Sequence, residues 1–392
     1  MTKYILIVVG MFLSFQQLDA QESLDQLLKQ IERNNPELKA NQELMKAQVW
    51  DTKSTNNLAN PTVSYAQVWD SKDKKDSETE LVVMQEFEFP TAYIHRNKAN
   101  RKQINALESA FQAQRQDILL QAKEVCLDII MLNQLIDILQ RRMGYANQLD
   151  QLYSQMLKAG DATSIEVNKI KLEKLNLQTE YTINSATLKK KKTELMQLNG
   201  NTPIEFNANT YANIALPAYE LIRGEALGSN PNLEFTQNEY ESALKQIAVS
   251  RAGWLPNLSV GYKRNSGTGF HSNGIAVGMS IPLFNNRGKV SSAKATAIGK
   301  SYSHDLVRTK LESDIYQAYQ EAAAMKEQMD IYQSTLDVDQ LLGLLQDALQ
   351  GGEMSMTAYF VELATAYQSL ENYIQISNIY QKQIAQLYKH RL

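Results

Sequence analysis

Four histidines and one cysteine are the residues of this chain best suited to holding a metal or attacking a substrate, and their spacing supports neither. His95, His271, His304 and His390 are far apart, and no two stand at the interval that would put paired ligands on one helix face. Cys126 is alone, so it can form no intrachain disulfide and no multi-cysteine metal site. The run Ser266-Gly267-Thr268-Gly269 is too short to wrap a phosphate and falls where a hairpin should turn. Lys189–Lys192 could attract a polyanion, but a wet face near a helix C-terminus explains it without one. Glu166 stands at the start of an expected helix, where the macrodipole favours an acid. No Ser-His-Asp or Cys-His set can be assembled, so neither an enzyme nor a cofactor is expected.

The meaning must therefore lie in the elements. A formal net charge of −3 over 392 residues gives no electrostatic reason to expect nucleic acid. Gly and Pro are sparse while Leu, Ala, Gln, Asn and Lys abound, a helix-building composition with a wet surface. Lys3 followed by the apolar run Tyr4 to Phe15 and by Ala20 reads as a secretory signal over residues 1–20. That run is shorter than the roughly 20 residues of a membrane-spanning helix. An exported product is expected.

The rest is written twice. Asn35-Pro36-Glu37-Leu38 returns as Asn230-Pro231-Asn232-Leu233, and Pro61 with its alternating sequel returns at Pro256, both 195 residues on. Leu157-Lys158-Ala159-Gly160-Asp161 is answered by Leu349-Gln350-Gly351-Gly352-Glu353, 192 residues on. One register held over such a span argues for tandem duplication. The expected division is a first repeat at 21–198, a linker at 199–217 and a second repeat at 218–392. Each repeat reads as a helical stretch (Leu24 to about Asn57; Tyr219 to about Arg251), two strands (Thr62–Trp69 with Leu81–Phe89; Leu258–Arg264 with Gly274–Ile281) and a very long helix (Ala92–Leu157; Lys289–Leu349). A glycine turn and a last helix close each copy (Ser164–Gln197; Met356–Tyr388).

Those long helices would reach roughly 90–100 Å, beyond any ordinary domain. Lys123, Glu124, Asp128, Arg141 and Arg142 exclude a membrane span, which leaves coiled-coil packing with water on the remaining faces. In the strands, Val63, Tyr65 and Trp69 alternate with Thr62, Ser64 and Ala66. Ile275, Val277, Met279 and Ile281 likewise alternate with Ala276, Gly278 and Ser280. Such segments, close to 9–11 residues, suit lipid outside and water inside. The segments 71–77 and 265–269 read as polar hairpin tips. Four strands cannot close a barrel, whose usual minimum is eight, and an open edge in lipid is costly. Three copies would supply twelve strands. The fold class expected is mostly α with a small β part: a trimeric 12-stranded β-barrel, four strands per chain, continued by a long α-helical coiled-coil barrel.

This order of elements resembles the TolC-like outer-membrane efflux protein family. The similarity is carried by the Asn-Pro-x-Leu openings, the strand starts at Pro61 and Pro256, Ser280-Ile281-Pro282-Leu283-Phe284, and the turns at Gly160 and Gly352. It implies a homotrimer in the outer membrane lipid with a periplasmic tunnel, a passive conduit rather than an enzyme. Its implied partners are a periplasmic adaptor and an RND-type or ABC transporter of the inner membrane. It also implies that Gly160, Asp161, Gly351, Gly352 and Glu353 form the adaptor-contact tips. Glu166, Glu362, Met356 and Tyr359 would then line a periplasmic gate. The second copy departs from the family pattern: Ala358 and Val361 stand where acids are usual, and Glu362 is one position off. Heavy-metal cations or drugs are the cargo implied; a type I secretion duct, or a periplasmic coiled-coil scaffold or adhesin stalk, is the alternative.

Overall fold

A computed structural model describes residues 24–69, 77–335 and 338–392. The expected signal, at 1–20, lies outside the described residues, as does the hairpin tip at 71–77 except for Ser77.

Where one helical stretch was expected at the head of each repeat, there are two helices. Residues 24–34 (α1) are followed by Pro36–Ser54 (α2), and Tyr219–Gly228 (α5) by Pro231–Ala252 (α6). The Asn-Pro pair makes the break. The Asn230 side chain accepts hydrogen bonds from the backbone N–H groups of Asn232 (2.9 Å) and Leu233 (3.1 Å). Pro231 fills a first-turn position that needs no donor. Asn35 does the same for Leu38 at 2.9 Å and also donates to the Leu198 carbonyl. Asn230→Ala should lower stability by about 1 kcal/mol in denaturant unfolding; an unchanged midpoint would remove the cap from this account.

The strands are Thr62–Trp69 (β1), Ser77–Phe87 (β2), Asn257–Gly267 (β3) and Phe270–Ser280 (β4). The second hairpin runs further than its alternation suggested, because only Thr268 and Gly269 reverse the chain. Gly269 has φ +87°, which a residue with a Cβ rarely adopts. Pro90–Ala159 (α3) leaves the first hairpin and Lys289–Thr335 (α7) the second; Val338–Gln350 (α8) lies beyond the two undescribed residues 336–337. Ser164–Leu198 (α4) and Met356–Leu387 (α9) close the repeats.

Two compact units are present, and they cut across the repeats because β2 pairs with β3, one strand from each half. The first comprises the described residues of 24–40, Gln114–Gly228 and Glu312–Leu392. Its core joins Leu27 and Ile31 of α1 to Leu119, Val125 and Ile129 of α3 and Leu195 of α4. Cys126 lies fully buried in it, and burial pushes its thiol far above the usual range, so its role is packing. Residues 202–218 form neither helix nor strand, and side chains of the flanking helices satisfy their carbonyls instead. Asn133 Nδ2 donates to Ala208 O at 2.8 Å, Gln381 Nε2 to Ala212 O at 3.1 Å, and Tyr380 Oη to Ile214 O at 2.8 Å.

The second unit, Asn41–Ala113 with Ser229–Leu311, carries the sheet. Its order is β1-β2-β3-β4, antiparallel throughout. Register places Val63, Val83, Tyr262 and Ile275 in one row across all four strands. Neighbouring rows on that face hold Val260 beside Val277 and Leu258 beside Met279. The opposite face holds Ser64, Lys263 and Gly274 in one row, with Lys263 paired to Glu80 at 2.9 Å.

Candidate functional site

Two features stand out: the turns that end the long helices, and the bare sheet.

The two turns share one bonding pattern. Gly160 (φ +88°) donates to Leu157 O and Asp161 to Met156 O; Gly352 (φ +73°) donates to Leu349 O and Glu353 to Ala348 O. This is the paired bonding that stops a helix at a left-handed residue. A side-chain cap restarts the chain: Thr163 Oγ1 accepts from Glu166 N–H, and Ser355 Oγ from Ala358 N–H at 3.2 Å. A Cβ added at Gly160 or Gly352 would meet nothing within 4 Å, so glycine is required there by conformation and both turns are open to an approaching surface. Gly352→Val should cost about 1–2 kcal/mol through its positive φ alone, read as a lower unfolding midpoint; no change would mean that the turn relaxes freely.

Glu166 completes the cap. Its Oε2 accepts from both Thr163 N–H and Thr163 Oγ1 at 2.8 Å, and these bonds hold its carboxyl below the usual range. Because the folded pKa is the lower one, this bond contributes stability above the ordinary carboxylate pKa. The contribution is lost as pH falls through the lowered value. Glu166 also raises the neighbouring Tyr153 phenol, second to burial. Glu362 is exposed on α9. Met356 and Tyr359 are placed differently: at 3% and 4% exposure they pack with Ile170 and Leu345, bordered by Leu149, Tyr153 and Phe360. They form the interior of the tip, and of these four residues Glu166 and Glu362 are the two whose side chains reach solvent. Lys169 Nζ donates to Thr357 Oγ1 at 2.8 Å, tying the start of α4 to that of α9.

Behind the tips lies a network that the spacing of types did not single out. Arg142 of α3 meets Glu173 at 3.2 Å and Glu180 at 3.8 Å on α4, and Glu371 at 3.1 Å on α9. It also lies over the Tyr367 ring, 4.7 Å from the centroid. Burial raises the Glu371 carboxyl above its usual range, and Arg142 pulls the other way without cancelling it. The seven-residue interval from Glu173 to Glu180, two turns on one face, was the available signal.

The histidines are dispersed as their spacing required. His304 Nδ1 contacts Thr236 Oγ1 at 3.0 Å, His271 Nδ1 contacts Ser266 Oγ at 2.6 Å, and His390 lies by Glu225.

The sheet is the second feature. Every residue of β1 is exposed; on β4, Ile275, Val277 and Met279 are 82%, 76% and 64% exposed. No described part of this unit covers that apolar face. Strands β1 and β4 are paired on one side only, leaving two rows of backbone donors and acceptors open. An apolar face left exposed in this way marks an interaction surface.

Residues 222–390 match the Outer membrane efflux protein family. The match falls within the stretch 218–392 that the sequence reading set apart as a second repeat, and it bears out the resemblance read from the sequence. No curated protein matches the chain. Among solved structures the fold is similar to a membrane protein from Pseudomonas aeruginosa (14% identity, 94% of this chain and 92% of that one, TM-score 0.79). It is similar also to the CmeC outer membrane channel of Campylobacter jejuni (15%, 94% and 85%, 0.76). A third is the open state of the MtrE outer membrane channel of Neisseria gonorrhoeae (12%, 94% and 88%, 0.77). At these identities the likeness establishes the fold.

Proposed function

We propose that three copies of this chain close into one outer-membrane exit duct, passing cargo from a periplasmic pump to the exterior without chemistry of their own. The observation that carries this reading is the four-stranded sheet, apolar on an uncovered face and open at both edges, within a fold shared with outer membrane channels. Twelve strands from three chains would satisfy every edge, and lipid would cover the apolar rows. A soluble scaffold or adhesin stalk would leave Ile275, Val277 and Met279 in water. The test is purification in detergent and addition to a planar bilayer: stepwise conductance is expected, and a protein that leaves the bilayer silent would overturn the duct.

The finer reading concerns entrance, partners and cargo. The paired glycine turns are the surface offered to an adaptor of helical-hairpin type, itself joined to an inner-membrane transporter. Glu166 and Glu362, three of each in a trimer, would set an anionic ring near the entrance, which favours cations such as heavy-metal ions. Glu166→Gln with Glu362→Gln should lower the cation-over-anion permeability ratio severalfold at low salt. An unchanged reversal potential would take these carboxylates out of the pore. Sensitivity of a deletion strain to metal salts rather than dyes would support the metal reading; the converse pattern would favour drugs.

A further inference from the structure

The chain as a whole is slightly acidic, yet the helices leaving the sheet are not. From Pro90 the first acid of α3 is Glu108, while Arg96, Lys98, Arg101 and Lys102 precede it. From Phe270 no acid occurs before Asp305, while Arg287, Lys289, Lys294 and Lys300 do. The two faces of this region differ. Asn100 and Gln103 of α3 join Arg287, Lys289 and the Lys300–Glu239 pair (2.7 Å) around one polar trough. Lys98, Arg101 and Lys102 lie on the other side of α3 and, with Lys245 of α6, line a separate groove of about 420 Å³. Lys102 is bridged there to Glu241 at 2.7 Å, and Lys245 acts on the same carboxylate without a direct bridge. Lys98, Arg101 and Lys245 are exposed, and no ion pair involves them among the described residues.

Apolar residues adjoin this basic face on the side of the strands. Ile94, 55% exposed, is one helical turn before Lys98 on the same face of α3. Beyond β4 the apolar alternation of Ile275, Val277 and Met279 continues into Ile281 and Leu283, 64% and 66% exposed, and ends at Phe284, 87% exposed. Asn286, buried, donates its Nδ2 to Gly253 O, which pins this loop to the end of α6 beside the exposed Trp254. So apolar side chains continue the bare sheet face, and Lys98 follows Ile94 by one helical turn, roughly 6 Å along α3. That sequence of surfaces matches the passage from acyl chains to headgroups, a zone some 5–8 Å deep on each side of a bilayer.

We propose that this collar binds the anionic phospholipids of the membrane's periplasmic leaflet: Ile281, Leu283, Phe284 and Trp254 enter the acyl boundary, and Lys98, Arg101 and Lys245 take the headgroup phosphates. Basic side chains beside a membrane are drawn to anionic lipid within about a Debye length. The inference rests on the duct reading, since it needs the sheet to lie in the membrane.

The experiment uses the purified full chain in which Trp50→Phe and Trp69→Phe leave Trp254 as the sole tryptophan. It is reconstituted into phosphatidylcholine bilayers holding brominated phosphatidylglycerol or, at equal mole fraction, brominated phosphatidylcholine. At low salt, quenching of Trp254 should be at least threefold stronger with the anionic lipid. The excess should vanish in 0.5 M salt and in the Lys98→Gln, Arg101→Gln, Lys245→Gln variant, whose substitutions are exposed and leave conductance unchanged. Equal quenching by the two lipids in a conducting channel would overturn the collar and leave the duct standing. So would an excess that survives in the triple variant. Protein that neither conducts nor is quenched would overturn both.

Discussion

Ile275→Arg should abolish recovery of assembled protein from the outer membrane. The residue lies mid-strand in β4 and closes the row Val63, Val83, Tyr262 and Ile275. At 82% exposure its side chain has no role inside the subunit that the substitution could damage. If lipid covers the row, an arginine at mid-depth costs about 2–4 kcal/mol, once for each chain of the trimer. If water covers it, the change is nearly neutral. The opposite face supplies the control. Lys263 is already accepted there beside Glu80, so Ser64→Lys in the same row should assemble normally. Membrane-fraction immunoblots of the two variants read this out, and wild-type recovery of Ile275→Arg would place water on that face.

Arg142→Ala should markedly destabilise the first unit. Arg142 is only 11% exposed and lies among Glu173, Glu180 and Glu371 from two other helices. Removing it leaves partly buried carboxylates facing one another, a loss of about 3–5 kcal/mol in comparable buried networks. The pH dependence has a definite sign. Glu371 already has a raised carboxyl pKa, so its protonated form suits the folded state better than the unfolded one. Without Arg142 that preference grows. The variant should therefore recover stability as pH falls from 7 towards 5, before the lowered group Glu166 begins to lose its bonds. Thermal unfolding of the helical signal at the two pH values measures it. A midpoint that is unchanged by the substitution, or that falls on mild acidification, would contradict the network's assigned role.

Much of this was legible in the residues. The alternation of Ile275, Val277 and Met279 announced strands, because a periodicity of two is a local property; the Asn-Pro openings marked the duplication but were not read as helix starts. The glycines at 160 and 352 were legible for the same reason: positive φ leaves few other choices. What escaped was set by partners far apart in the chain. Asn35 adds to its local cap a bond to the distant Leu198 carbonyl, and the Arg142 network draws on three helices. Met356 and Tyr359 were expected at a pore because the family resemblance puts its entrance just past the glycine turn. Only contacts with Ile170 and Leu345 place them inside the tip.

The edge strands offer the most direct test of the account. Pairs of cysteines, one at Val63, Tyr65 or Gln67 of β1 and one at Asn273, Ile275 or Val277 of β4, can be introduced with Cys126→Ser removing the sole native thiol. If each β1 edge meets the β4 edge of a sister chain, oxidation of membranes should yield bands of two and three chains and nothing larger. Monomers alone at every pair, or a ladder climbing past three, would contradict closure by three copies.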